Sequence, residues 1–397
     1  MRWREGCFTA VGIVAIETAI VASTGAANAI PTGLGQTKPV AQTAIASRAH
    51  LGPVVSTDAA GKVVRAKPVK PSPGPTATPT ATPNPAPIEG SGAMSTEGEG
   101  LTAYEWRRLN KTPMATLTES FDSFRAMGGT AVALDISYVV DISEIADPTA
   151  RAAAYATYTA NLKQYTQTAT TAGLKVEALF GDPRWVLPDI KYVIPIITDW
   201  VSSYNAAATP ATRLVRLHAD LEPWSLPSWS NKSTELTDNW LTVVALMTAD
   251  QAEASKPDQI PITIDVAFWL DGTTTPKAVA FQGITASPTA HVIRLLDNKT
   301  GGQNAISVMA YRDTTGGPDG SIAAVAGEFT FAAAQGGDVG VIIAQEVGDA
   351  SPSRITFFQE GPAAFADALT TLRATYESAP AYRGFAVDDM ASLRRWL

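Results

Sequence analysis

Beyond about residue 100 the chain repeats one alternation eight times: a short apolar run of strand type, then a longer run with helical spacing. The strand-type runs are TAYEWRRL (102–109), TAVALDIS (130–137), KVEALFGD (175–182), RLVRLHADLE (213–222), IPITIDVAFWL (260–270), AISVMAYRD (305–313), VGVIIAQEV (339–347) and RGFAVDDM (383–390). The intervening runs, ARAAAYATYTANLKQYTQTATTAG and GPAAFADALTTLRATY among them, are rich in Ala, a strong helix former. Several stop at a glycine, namely Gly128, Gly173 and Gly336, the usual residue past a helix end. Strand, crossover helix and strand again implies parallel pairing. Eight such units close most naturally as a single (β/α)8 TIM barrel, expected here over residues 99–397. A doubly wound open sheet is the alternative, but no G-x-G-x-x-G or phosphate loop follows the first strand. The stretch around HVIRLLDN has no clear assignment, and ITFFQE (355–360) reads as an extra short strand or a loop.

The first hundred residues are of another kind. Two early arginines, an apolar run interrupted by Glu17, and then Ala27-Asn28-Ala29 have the layout of a secretory signal peptide over residues 1–29. An uncleaved membrane anchor is the other reading of the same segment. Residues 30–98 are small and polar, with prolines at 68, 71, 73, 75, 79, 83, 85 and 87 interleaved with Thr and Ala. Proline fixes φ and removes a donor, so a disordered, extended Pro/Thr-rich linker is expected. The one cysteine, Cys7, lies in the leader, which leaves the exported chain without a disulfide. That suits bacterial export, either as a secreted protein or held at the cell envelope.

Composition narrows the chemistry. Hydrophobic residues make up 45% of the chain and charged residues 17%, enough for a sizeable core. A formal net charge of −8 argues against nucleic acid, which needs a basic surface. Three histidines and one cysteine exclude a Cys/His zinc pattern, no cofactor is implied, and a monomer is expected.

In such a barrel the active site lies where the strands end. Asp135 ends the second run. GDPRW ends the third, with Asp182 and Trp185. The fourth carries Arg216, His218, Asp220 and Glu222, with Trp224 behind them; the fifth carries Asp265 and Trp269. Tyr311 and Asp313 end the sixth, Glu346 the seventh and Asp388 the eighth. Mixed carboxylates and aromatics suit a carbohydrate, which offers both hydroxyls and apolar C–H faces. In VRLHADLEPW every second residue is ionisable, so Arg216, His218, Asp220 and Glu222 share one strand face. Helices cover the outside of a barrel strand, so that face points inward. The four are read either as a site or as a buried ion-pair network. Trp185 and Trp224 are read either as ligand contacts or as packing. Two nearby carboxyls raise one pKa, which keeps a proton available at neutral pH.

Asp220-Leu221-Glu222 resembles the closing D-x-E of the glycoside hydrolase family 18 signature, and Met309-Ala310-Tyr311-Arg312-Asp313 resembles that family's M-x-Y-D with one residue inserted. The chain looks closer still to bacterial barrels of the glycoside hydrolase type that carry GDPxW, HxDxEP and MAYRD. Arg216 and His218 stand where the family 18 signature has its earlier acids. The resemblance implies a polysaccharide substrate, Glu222 as general acid and Asp220 orienting the reacting group. In that family the reacting group is the substrate's N-acetyl oxygen, helped by a tyrosine at the position of Tyr311. A substrate without an N-acetyl group needs another carboxylate, with Glu346 and Asp265 as candidates. Two other readings remain: a catalytically silent carbohydrate-binding barrel, and a metal-assisted hydrolase or deacetylase using His218 and Asp220.

Overall fold

The computed structural model describes residues 100–253, 260–272, 274–297 and 303–397. The expected leader at 1–29 and linker at 30–98 lie outside the described residues. Within them run ten strands: β1 Gly100–Glu105, β2 Gly129–Asp135, β3 Lys175–Phe180, β4 Leu217–Ala219, β5 Ile262–Ala267, β6 Val279–Phe281, β7 Ile284–Ala286, β8 Ala305–Met309, β9 Gly340–Glu346 and β10 Tyr382–Asp388. Eight of these close into one all-parallel barrel in the order β1-β10-β9-β8-β5-β4-β3-β2, so the sheet is not open. Each barrel strand overlaps one of the eight strand-type runs, with β1, β2 and β10 beginning one or two residues earlier. The other two, β6 and β7, form an antiparallel hairpin after β5. The stretch around HVIRLLDN is a helix, Pro288–Leu296, and residues 355–360 join no strand.

The crossovers include the long helices Pro148–Thr171 and Trp229–Gln251. Asp147 opens the first of these by accepting hydrogen bonds from the backbone of Thr149 and Ala150. The strand register then fixes which residues point where. Leu179 pairs with His218, His218 with Thr263, and Asp265 with Ser307, so these residues share the inner face. Their neighbours Ala178, Leu217, Ile264 and Val308 face outward and are buried under the helices. Burying one Leu, Ile or Val in this way contributes about 1.5–3 kcal/mol. The outer layer therefore carries the hydrophobic core, which leaves the inside free for polar groups.

Two glycines let strands approach closely. A Cβ at Gly181 would overlap the carbonyl oxygen of Asp220, and Gly384, at φ +89°, sits against the backbone of Gly100. The first holds the end of β3 against the segment that leaves β4.

Candidate active site

The middle of the barrel is ionic. His218, on β4, is fully buried, with Nδ1 2.8 Å from Glu177 Oε2 on β3. Its Nε2 lies 3.1 Å from Asp265 Oδ2 and 3.3 Å from Oδ1, on β5. Tyr104, on β1, donates its hydroxyl to Asp265 Oδ1 at 2.6 Å, and its oxygen is 2.8 Å from Ser307 Oγ on β8. Arg216 sits deeper, donating to Thr263 Oγ1 at 3.1 Å and to the Gln303 carbonyl at 3.2 Å, with Nε 3.6 Å from Glu177 Oε1. Burial alone would push His218 down, but the charge and hydrogen bond of Asp265, and then those of Glu177, hold it up at about 9. His218 is thus an imidazolium at neutral pH, clamped between two carboxylates. Burial pushes Glu177 up, but the His218 hydrogen bond and charge and then Arg216 outweigh it and leave it lowered.

Arg216 and His218 therefore belong to a buried network beneath the site. Among the described residues no set of three His, Cys, Asp or Glu side chains converges to hold a metal. Both ring nitrogens of His218 are taken up by the flanking carboxylates of this network.

Above this floor, where the strands end, a second cluster is acidic. β4 stops at Ala219, and the ladder continues one residue further through Asp220 N–H to the Phe180 carbonyl at 2.9 Å. The chain then turns: Glu222 takes a left-handed conformation, φ 40° and ψ 56°, before the short turn Pro223–Ser225. Strict alternation thus holds for Arg216, His218 and Asp220 and ends there. Glu222 reaches the cluster by a strained turn, which for a residue with a Cβ costs of order 1–3 kcal/mol. Asp220 Oδ1 is buried without a hydrogen-bond partner. Burial, then the charges of Glu222, Asp265 and Asp388, push Asp220 well above the usual carboxylate range. Burial and the nearby Asp265 raise Glu222 to about 7.

Asp388, on β10, is the Cα partner of Glu346 on β9. Trp106 Nε1 donates to Asp388 Oδ1 at 3.0 Å, and Gly348 N–H donates to Glu346 Oε1. Burial and the neighbouring Asp389 raise Asp388 to about 7, while burial and Asp388 raise Glu346 to about 9. Tyr311 is buried, and burial followed by the charge of Asp388 pushes its hydroxyl up. The cluster is therefore Asp220, Glu222, Glu346, Asp388 and Tyr311, floored by Asp265.

The remaining candidates stand apart. Asp135 accepts hydrogen bonds from Arg108 Nε at 3.0 Å and from Ser137 N–H at 2.7 Å, and so braces the end of β2. Asp182 caps the turn Pro183–Val186 and pairs with Arg184. Asp313 lies in a loop, where burial and the charge of Glu360 act on it, away from the groups that act on Tyr311. Regular pairing of β8 ends at Met309, so alternation does not carry from Tyr311 to Asp313. Trp185 is buried. Trp224 is also buried and meets Trp229, Trp240 and Trp269 edge to face at 5.8–6.5 Å. Half-buried Trp269 forms one side of that aromatic group. The sequence reading passed over Tyr104, Trp106, Glu177 and Ser307. Period two in Thr102-Tyr104-Trp106 was the available signal for the first two.

No family model and no curated protein matches the chain. Among solved structures, a GH18 chitinase from Pseudoalteromonas aurantia is similar at 11% identity over 75% of this chain and 97% of its own, with a TM-score of 0.47. The catalytic domain of a β-amylase from Paenibacillus polymyxa is similar at 10% identity over 75% of this chain and 94% of its own, with a TM-score of 0.43. A plant class V chitinase mutant from Cycas revoluta, in complex with (GlcNAc)3, is similar at 12% identity over 74% and 95%, with a TM-score of 0.39. Each is a distant likeness.

Proposed function

We propose that the protein is a glycoside hydrolase acting on an extracellular or surface polysaccharide, with Glu222 as the general acid. One observation carries this reading: Glu222 sits half-buried in a group of carboxyls, and desolvation with the nearby Asp265 holds it up to about 7, so the protonated form is well populated at neutral pH. A general acid works best when its pKa lies near the operating pH. Cleaving a glycosidic bond needs a proton delivered to the leaving oxygen. Asp220, pushed up by burial and by its acidic neighbours, stands beside Glu222 to orient the group that reacts. Tyr311 and the ring of Trp106 border the cluster and suit a sugar's hydroxyls and C–H face. The leader and Pro/Thr-rich spacer read from the sequence support an exported enzyme, tethered or released.

The test uses the full chain on soluble polysaccharides, with released reducing ends as the readout. Glu222→Gln keeps the shape and removes the proton, so turnover is expected to fall about 10²–10⁴-fold while glycan binding persists. Unchanged turnover in the variant would sink the assignment of the acid. A native chain that binds glycans without cleaving any would instead be a silent binding barrel.

A further inference from the structure

The strand order puts two carboxyl pairs on opposite walls of the barrel mouth. Going round the closed sheet, β4 and β10 are four strands apart in either direction. Asp220 and Glu222 follow β4, while Asp388 ends β10 beside Glu346 on β9. Two groups that face each other across the mouth can address opposite sides of one anomeric carbon. Asp265, a candidate from the sequence for a second reacting carboxylate, is committed to Tyr104 and His218 in the floor. Glu346 is turned toward the Gly348 backbone. Asp388 is held by one oxygen only: Oδ1 takes the Trp106 N–H, and Oδ2 accepts no hydrogen bond from the described residues. That leaves an oriented, half-buried carboxylate with its second oxygen not bonded by the described residues.

We infer that Asp388 is the general base of the reaction, so that the substrate is a glycan whose sugars need no acetamido group. This rests on the glycoside hydrolase reading above and adds the second half of the chemistry. A water between Asp388 and the sugar attacks the anomeric carbon as its proton passes to Asp388 Oδ2. The bond from that carbon to the glycosidic oxygen breaks, and its electron pair stays on the leaving oxygen, which takes the Glu222 proton. Asp388 ends protonated and Glu222 ionised, and exchange with solvent restores both. The two carboxyls follow strands on opposite walls of the barrel, so one can act as acid and the other as base on opposite faces of a sugar held between them, the arrangement that inverts the anomeric centre.

The experiment incubates the full chain with soluble starch, laminarin, xylan and dextran, with chitin oligosaccharides as the acetamido control. Proton NMR of the first product reads its anomer. Cleavage of a neutral glycan with inversion is expected. Asp388→Asn is expected to lose about 10²–10⁴-fold in kcat with KM little changed and the melting temperature preserved. Retention of configuration, cleavage confined to chitin oligosaccharides, or full turnover in Asp388→Asn overturns the inference. If Asp388→Asn fails to fold, the anomer released by the native chain decides alone. Loss of turnover in Glu222→Gln together with retained turnover in Asp388→Asn would overturn this inference and leave the glycosidase reading standing. A native chain that cleaves none of these glycans overturns both.

Discussion

His218 carries a buried positive charge on which four other side chains depend. Its folded-state pKa of about 9 lies above the ordinary histidine value of 6.5. The stability it contributes is therefore fully present below about pH 6.5 and lost as pH rises through about 9. Glu177 and Asp265 flank the ring, with Arg216 and Tyr104 beyond them. His218→Gln removes the cation and leaves two carboxylates buried together, which is expected to cost about 3–5 kcal/mol. Urea unfolding at pH 6.5, 8 and 9.5 checks both points: the variant should be weaker throughout and should decline less across that range. At this scale the sequence was legible where polar residues come in series. Arg216, His218 and Asp220 announce themselves by alternation. Ser307 is a lone polar residue within an apolar run and Glu177 has only Lys175 in series with it, and only the register of adjacent strands reveals that they sit near His218 and Tyr104.

The element that positions the acid is the junction where β3 and β4 end together. Gly181 leaves no side chain between them, so the Asp220 carbonyl can approach, and the turn through Glu222 starts from that contact. Gly181→Ala would force the two strand ends apart. The expected loss is about 1–3 kcal/mol of stability, with kcat falling more than KM because Asp220 and Glu222 move together. Thermal melts and steady-state kinetics on one polysaccharide would show it; wild-type kinetics would mean the turn is set elsewhere. The eight barrel strands were readable because their outer faces are Val, Ile, Leu and Ala and their connections are Ala-rich helices. The β6–β7 hairpin was not. Its strands have three residues each, and its turn, Gln282-Gly283, uses positive φ at both positions. Gln is not one of the residues that usually mark such a turn. Glu222 was placed on a strand for a related reason, since nothing in the residue type signals a left-handed backbone.

For the whole molecule, the acidic mouth opposes folding. A carboxyl raised in the folded state contributes stability below its unfolded pKa and loses it as pH rises through the folded value. For Glu222 that window runs from 4.5 to about 7. Glu222→Gln cannot ionise, so its stability should match the native chain near pH 4 and exceed it by about 1–3 kcal/mol at pH 8. Differential melting at the two pH values tests this, and a variant no more stable at pH 8 than the native chain would show that the carboxyl is relieved by solvent. The ionic floor has a consequence on a longer timescale. Apolar packing can fill a barrel as well as ion pairs can, yet no single substitution leads from one to the other. Removing any one of Glu177, His218 or Asp265 strands the rest, and the penalties do not add independently. A lineage that acquired this floor is held in it by the unfitness of every intermediate, so the polar interior can outlast the reaction it first supported.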